Sequence, residues 1–301
     1  MKRIIVSGLV NIETNAAVKG FPIEYYPIDF PFFGVSSNVS GVGCNIAKAL
    51  TALGDEVRLV SYTGRDPEAK RIFEDLEAHG IASGMIKQEL RQTPTSVILF
   101  APDGRRQVYC DLKDIQEHSV EPEGLKTELE AADLAVLCNI NFNRRLIKYA
   151  AENGVLTATD VHVLSDINDG YNRDFMENAR ILFLSDERLP CAPEEFAQRL
   201  YDKYRNKLIV IGMGAKGALL LDESRGSTVT VPACSPGKIV NTVGAGDALF
   251  SAFLHFYTKG MSAEDALNRA VIFAGIKIGF NGASLGFCTE EETERIFSER
   301  S

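Results

Sequence analysis

The stretch Asn241-Thr242-Val243-Gly244-Ala245-Gly246-Asp247 carries the densest chemistry of the chain, and an apolar run from Ala248 to Leu254 follows it without a break. Leu249, Ala252, Phe253 and Phe256 stand at i, i+3, i+4 and i+7, the spacing of one buried helical face. The glycine-rich stretch is therefore a helix N-terminus. Its unpaired N–H groups and partial positive charge make an anion cradle, and its glycines let a phosphate approach the backbone closely. Asp247 falls in the same first turn, where the helix dipole favours its ionised form and its carboxylate can take a proton from a hydroxyl. Taken alone, the motif fits an ordinary glycine-flanked helix start equally well.

A second glycine-rich helix entrance lies upstream. Gly41-Val42-Gly43 precedes Ile46, Leu50 and Leu53, which share one helical face, so a helix is expected over 43–53 with Asn45 projecting from its first turn. Asn45 is a candidate for binding a substrate hydroxyl, or for capping the local backbone. Arg3 to Leu9 reads as a β-strand, and Val10-Asn11-Ile12-Glu13 leaves its carboxyl end, where open α/β sheets place ligands. A third glycine cluster, Gly212-Met213-Gly214-Ala215-Lys216-Gly217, matches Gly-x-Gly-x-x-Gly after a strand. It is followed by another strand-like run, Ala218 to Asp222, whereas a dinucleotide fingerprint must open a helix.

The elements that position these residues alternate. Strands are expected at 57–60, 134–137, 155–159, 181–184 and 208–211, and helices at 66–79, 143–152, 193–204 and 263–280. Continuous apolar strands alternating with helices imply a mainly parallel sheet covered on both faces. Prolines at 22, 27 and 31 exclude a helix over 14–37, while Phe21, Tyr25, Tyr26, Phe30, Phe32 and Phe33 need cover. Residues 95–100 and 105–110 flank Ala101-Pro102-Asp103-Gly104 and read as a hairpin.

The bulk numbers exclude other classes. With 301 residues, 45% hydrophobic and 24% charged, the chain is an ordinary globular protein with room for a large core. A net charge of −9 without a Lys/Arg block argues against a nucleic-acid surface. No apolar run is long enough to span a membrane and none resembles a signal peptide, so a cytoplasmic location is expected, without membrane or nucleic-acid partners. The six cysteines and four histidines are scattered, which implies reduced thiols and no Cys/His metal site.

Asn241 to Asp247 resembles the Asp-Thr-x-Gly-Ala-Gly-Asp signature of the ribokinase-like (PfkB) family of carbohydrate and nucleoside kinases, with Asn241 for the first Asp. Ser40 to Ala47, running on to Leu53-Gly54, is similar to the family's Gly-Gly-x-x-x-Asn-x-Ala…Leu-Gly signature, with Ser40 for the first Gly. The resemblance spans nearly the whole chain. It implies a single ribokinase-like domain over 1–301, a three-layer α/β/α fold with a mainly parallel central sheet, and a small β lid formed by about 12–37 and 93–112. It also implies a kinase that transfers the γ-phosphoryl of ATP to a hydroxymethyl group of a sugar, with Mg²⁺ bridging the phosphates.

In that reading Asp247 is the base, and Gly244, Ala245 and Gly246 supply the anion hole. Asn11, Glu13, Gly41 and Asn45 hold the acceptor, with Glu13 one methylene longer than the family's usual Asp. Gly214, Lys216, Gly217, Thr242, Asn281 and Gly282 contact the nucleotide. The lid would exclude water, and its aromatic surface is where some relatives form homodimers.

Two segments depart from the family pattern. Where relatives carry Asn-x-x-Glu, whose acid organises Mg²⁺, this chain has Ser185-Asp186-Glu187-Arg188, which leaves Asp186 and Glu187 as metal candidates. Asn241 removes a carboxylate that helps relatives bind K⁺, so the resemblance does not carry K⁺ activation over. Two alternatives stand beside the sugar kinase. One is a nucleoside (pseudouridine-like) kinase whose aromatics at 21–33 stack on a base, and the other a catalytically weak ligand-binding protein on the kinase fold.

Overall fold

Strands that are apolar on both faces need cover on both sides, and the order of elements supplies it. The structure, a computed structural model, describes residues 1–234 and 237–300. The chain opens with β1 (Arg3–Ser7), β2 (Asn11–Ala17) and β3 (Val35–Ser40), then α1 (Val42–Ala52), β4 (Glu56–Thr63), α2 (Pro67–Ala78) and β5 (Ala82–Gln88). A hairpin of β6 (Thr95–Phe100) and β7 (Arg106–Asp111) follows. Next come α3 (Lys126–Ala131), β8 (Leu134–Leu137), α4 (Arg144–Glu152), β9 (Thr157–Val163), α5 (Arg173–Asn178), β10 (Ile181–Ser185) and α6 (Pro193–Tyr204). The sheet ends with β11 (Leu208–Gly212), β12 (Ala218–Asp222) and β13 (Ser227–Val231), ahead of α7 (Ala245–Thr258), α8 (Ala263–Lys277) and α9 (Glu290–Ser298).

The main sheet has nine strands in the order β13-β12-β11-β10-β9-β8-β1-β4-β5. Pairing is parallel from β5 across to β11, and only β12 runs against its neighbours β11 and β13. Side chains alternate between two cores: Ile4 and Val6 join the layer of α1, α7 and α8, while Ile5 joins the layer of α4, α5 and α6. This is the three-layer α/β/α architecture. A second sheet, in the order β3-β2-β6-β7, stands apart from the first, with β2 and β6 parallel and the outer pairs antiparallel.

Local chemistry sets the boundaries. Asp66 caps α2 by accepting a hydrogen bond from the Ala69 N–H at 2.9 Å, with Pro67 at the first helical position. The helix expected at 263–280 ends at Lys277, and a left-handed Gly282 follows in the turn beyond. Val10 to Glu13 does not leave the main sheet as a plain loop: Asn11–Ala17 is β2, the strand joining β3 to β6. Phe21 is partly covered, with Arg105 over its ring, but among the described residues nothing encloses the aromatics of 25–33. Tyr25, Phe32 and Phe33 are 85%, 84% and 106% exposed. Among the described residues no helix is long and apolar enough to cross a membrane.

The strand order reverses at β1. The chain runs outward from β1 to β4 and β5 on one side, then restarts at β8 on the other. Loops leaving β1 and β8 part there, opening the crevice in which α/β sheets bind ligands. Gly8, which leaves β1 at that point, has no room for a side chain: a Cβ would lie 2.5 Å from Cys138 Sγ and 2.9 Å from the Gly43 Cα. The glycines at 8 and 43 let α1 close directly onto the end of β1.

Candidate active site

At the N-terminus of α7, Gly244 is the cap, with φ of 79° and an added Cβ only 2.5 Å from the Ala283 carbonyl oxygen. Both conformation and space require glycine there. Gly246 differs, because nothing stands within 4 Å of the position a Cβ would take. Among the described residues the N–H groups of Gly246 and Asp247 have no acceptor, as the first turn of a helix dictates. The helix entrance thus presents free donors to open space.

Asp247 lies in that turn, partly accessible. Burial pushes its carboxyl up to about 6, opposed by the hydrogen bond from Asn45 and the nearby His162, and reinforced by Asp160 and Glu13. A carboxylate with that pKa is ionised at neutral pH and is a better proton acceptor than an ordinary aspartate.

From Asp247 a buried polar chain runs to the second sheet. Asn45 Nδ2 donates to Asp247 Oδ2 at 2.7 Å, and the Ser40 hydroxyl lies 3.1 Å from both Asn45 Oδ1 and Glu13 Oε2. Asn15 Nδ2 donates to Glu13 Oε1 at 3.0 Å, and Asn11 Nδ2 donates to the Ser96 hydroxyl at 3.0 Å. Asn11, Glu13 and Asn15 alternate along β2, so all three point from one face, and all are buried. The carbonyl oxygens of the Asn11 and Asn15 side chains have no donor among the described residues. Buried acceptors without partners are costly unless a ligand or water supplies them. Gly41, with φ of 103° and a would-be Cβ 2.6 Å from the Leu9 carbonyl oxygen, starts α1 beneath this stripe.

The remaining candidates lie along the carboxyl edge of the main sheet. Ser185 ends β10 beside Gly212 of β11 and Val163 of β9. Asp186 is partly exposed and Glu187 exposed; the Asp186 N–H donates to Gly212 O and the Glu187 N–H to the Ser185 hydroxyl. Neither carboxylate is in an ion pair with another described residue, and Arg188 takes a left-handed backbone with φ of 67°. Gly214, Ala215 and Lys216 form a short turn ending at Gly217, where a Cβ would fall 1.9 Å from Val231 O, and β12 follows as expected for a turn between strands. Lys216 is exposed. Asn241 Nδ2 donates to Asn281 Oδ1 at 2.9 Å, which joins the α7 entrance to the turn that holds Asn281 and Gly282.

Five residues escape the sequence reading. Asn15 belongs to the β2 stripe and becomes visible once 11–17 is read with period two. Asp160 and His162, at the end of β9, act on the charge of Asp247. Arg106 of β7 reaches Thr242 Oγ1 at 3.4 Å, a contact between the second sheet and the α7 entrance that no spacing encodes. Lys277 sits at the end of α8, where a lysine reads as a solvated charge, yet it is fully buried.

The profile of the pfkB family carbohydrate kinase matches residues 1–290. The acarbose 7(IV)-phosphotransferase of Actinoplanes sp. is 26% identical over 89% of both chains, and the deoxyribokinase of Salmonella typhi is 25% identical over 98% of both. The solved structure of the microbiome-derived acarbose kinase Mak1 superposes with a TM-score of 0.87 at 23% identity, covering 99% of each chain. The chain belongs to the pfkB family of carbohydrate kinases.

Proposed function

We propose that the protein transfers the γ-phosphoryl group of ATP to a hydroxymethyl group of a sugar, with Asp247 as the base. The observation that carries this reading is that the Asp247 carboxylate, held by Asn45, shares one helical turn with the Gly246 and Asp247 N–H groups, which have no acceptor among the described residues. Phosphoryl transfer asks for alignment and for neutralisation of charge spreading over the transferred group, more than for covalent chemistry. The amides of Gly244 and Gly246 stabilise that charge, joined by the Ala245 N–H once it leaves the Thr242 carbonyl to which it donates at 3.2 Å, and Asp247 accepts the hydroxyl proton.

The acceptor lies against the β2 stripe. Its hydroxyls satisfy the orphan oxygens of Asn11 and Asn15 and contact Glu13 and Asn45, the latter by sharing the amide now given to Asp247. The nucleotide occupies the carboxyl edge near Gly214, Lys216, Gly217 and Thr242, with Asn281 and Gly282 on the adenine side. Asp186 and Glu187 suit Mg²⁺ in charge and openness, because this ion is commonly held by phosphates plus one or two carboxylates. Bound there, Mg²⁺ neutralises phosphate charge. The β2, β3, β6 and β7 sheet acts as the lid, and its exposed aromatics are covered by a second copy of the chain, giving a homodimer that sedimentation would detect.

ADP release from Mg-ATP across a panel of sugars, sugar acids and nucleosides tests the reading, with Asp247→Ala beside wild type. Release that depends on a sugar and vanishes in the variant is expected. A nucleoside as the best acceptor would instead assign the Phe and Tyr rings of 21–33 to base stacking, and no release with any acceptor would favour a binding protein.

A further inference from the structure

Lys277 ends α8 beside the anion cradle, fully buried. Its ammonium donates a 2.6 Å hydrogen bond to the Gly282 carbonyl. Among the described residues it makes no ion pair, unlike the equally buried Lys48, which lies 2.6 Å from Asp75. Burial draws its pKa down to about 8 against the pull of Asp247 and Glu13, so the group is still charged at neutral pH. An unpaired buried charge is costly to keep. The turn it grips is the one whose Ala283 carbonyl lies against Gly244, so Lys277 supports the shape of the cradle through Gly282 and Ala283.

The family resemblance also makes Asn281-Gly282-Ala283-Ser284 part of a monovalent-cation loop, beside the position of Asn241, and these residues do not fit a cation here. Asn241 brings no carboxylate; its amide donates to Asn281 Oδ1 and accepts from the Val243 N–H, each at 2.9 Å, and an ionised aspartate could not make the first bond. The Gly282 carbonyl is already engaged by an ammonium. We propose that Lys277 is a built-in monovalent cation: it fixes the Asn281–Ser284 turn against Gly244 and sets a positive charge beside the cradle, so that the kinase works without K⁺. Its catalytic consequence rests on the phosphoryl-transfer reading above, its structural consequence does not. Lys277 is thus a positioning residue that acts through the turn and the field, without touching the acceptor.

The test compares wild type, Lys277→Met and Lys277→Ala in KCl, NaCl and choline chloride at equal ionic strength, with and without propylammonium. Two readouts are taken, acceptor-dependent turnover and melting of the ligand-free protein. Wild type is expected to respond alike in all three salts by both readouts. Lys277→Met should lose at least ~10-fold in kcat with a smaller change in acceptor KM. Lys277→Ala, which vacates the side-chain space, should regain turnover and melt at a higher temperature with propylammonium. Wild-type turnover or melting that rises specifically in KCl would overturn the proposal, as would a Lys277→Met variant with wild-type kcat. If wild type turns over no acceptor, the phosphoryl-transfer reading fails by itself. The melting comparison then decides the role of Lys277: propylammonium stabilising Lys277→Ala supports it, and K⁺ stabilising wild type refutes it.

Discussion

At the amino edge of the main sheet, Asp55 precedes β4 and lies 2.7 Å from His255 Nδ1, both fully enclosed. His255 Nε2 lies 3.4 Å from Glu290, which is itself paired with Lys259. At the carboxyl edge, on the same helix α7, Asp247 has a single amide partner, Lys277 has no carboxylate partner among the described residues, and the side-chain oxygens of Asn11 and Asn15 go without donors. At one end of α7 the buried Asp55 has the His255 imidazole as its partner within the chain. The other end leaves its buried polar groups incompletely met, at a cost in stability, in the place where a substrate and a phosphate can complete them. Charge that is matched internally holds the fold, and charge that waits for a ligand marks the site.

The largest expected effect separates the two ends by function. Asp247→Ala should lower turnover by ~10²–10⁴, the range for loss of a general base, while acceptor affinity changes much less. Steady-state ADP release checks this. Asp55→Ala should do the opposite. Removing Asp55 leaves the buried His255 Nδ1 without its hydrogen-bond partner, which costs about 1–3 kcal/mol, visible in urea unfolding, while kcat stays near wild type. An Asp55→Ala protein as stable as wild type would show that the amino-edge cluster holds nothing together.

A smaller effect carries the sign expected of a carboxylate buried without a cationic partner. The folded state raises the Asp247 pKa from 3.8 to about 6, so between these values the folded chain binds more protons than the unfolded one. The contribution of Asp247 to stability is therefore present below about pH 4 and lost as pH rises through about 6. At pH 7 its ionised form is a net cost, and Asp247→Asn should stabilise the protein by on the order of 1–2 kcal/mol while removing activity. Destabilisation by Asp247→Asn would place this charge with the matched end. The smallest effect concerns the chain of hydrogen bonds between the two sheets. Ser40→Ala breaks the link from Glu13 to Asn45 and should raise acceptor KM severalfold, as expected for about 1 kcal/mol, with kcat less affected.

How far the sequence reveals this division follows from what each signal encodes. The α6 helix over Pro193–Tyr204 and the β8 strand over Leu134–Leu137 lie within the residues expected for them, because their apolar spacing is set by burial against a single layer or between two. The three glycine clusters read correctly as turns or helix entrances, since the backbone itself demands glycine at 41, 217 and 244. Strand β5, Ala82–Gln88, escapes the pattern: a sheet-edge strand with four of its seven residues exposed carries little apolar alternation. Strand β2 is legible only through the family resemblance, which places about 12–37 in a β lid; its buried face is polar, Asn-x-Glu-x-Asn, and apolar periodicity has nothing to register there. Lys277 was hidden for a related reason. A lysine near the end of a helix gives no sign that the following turn folds back over it.

The pH dependence of kcat/KM for the acceptor, measured for wild type and for the residual activity of Asp247→Ala, tests the role of Asp247 most directly. Wild type should lose activity below about pH 6 along a one-proton limb, because protonated Asp247 cannot take the hydroxyl proton, and that limb should be absent from the variant. A wild-type profile that stays flat well below pH 6, or a variant that keeps the same limb, would contradict Asp247 as the base.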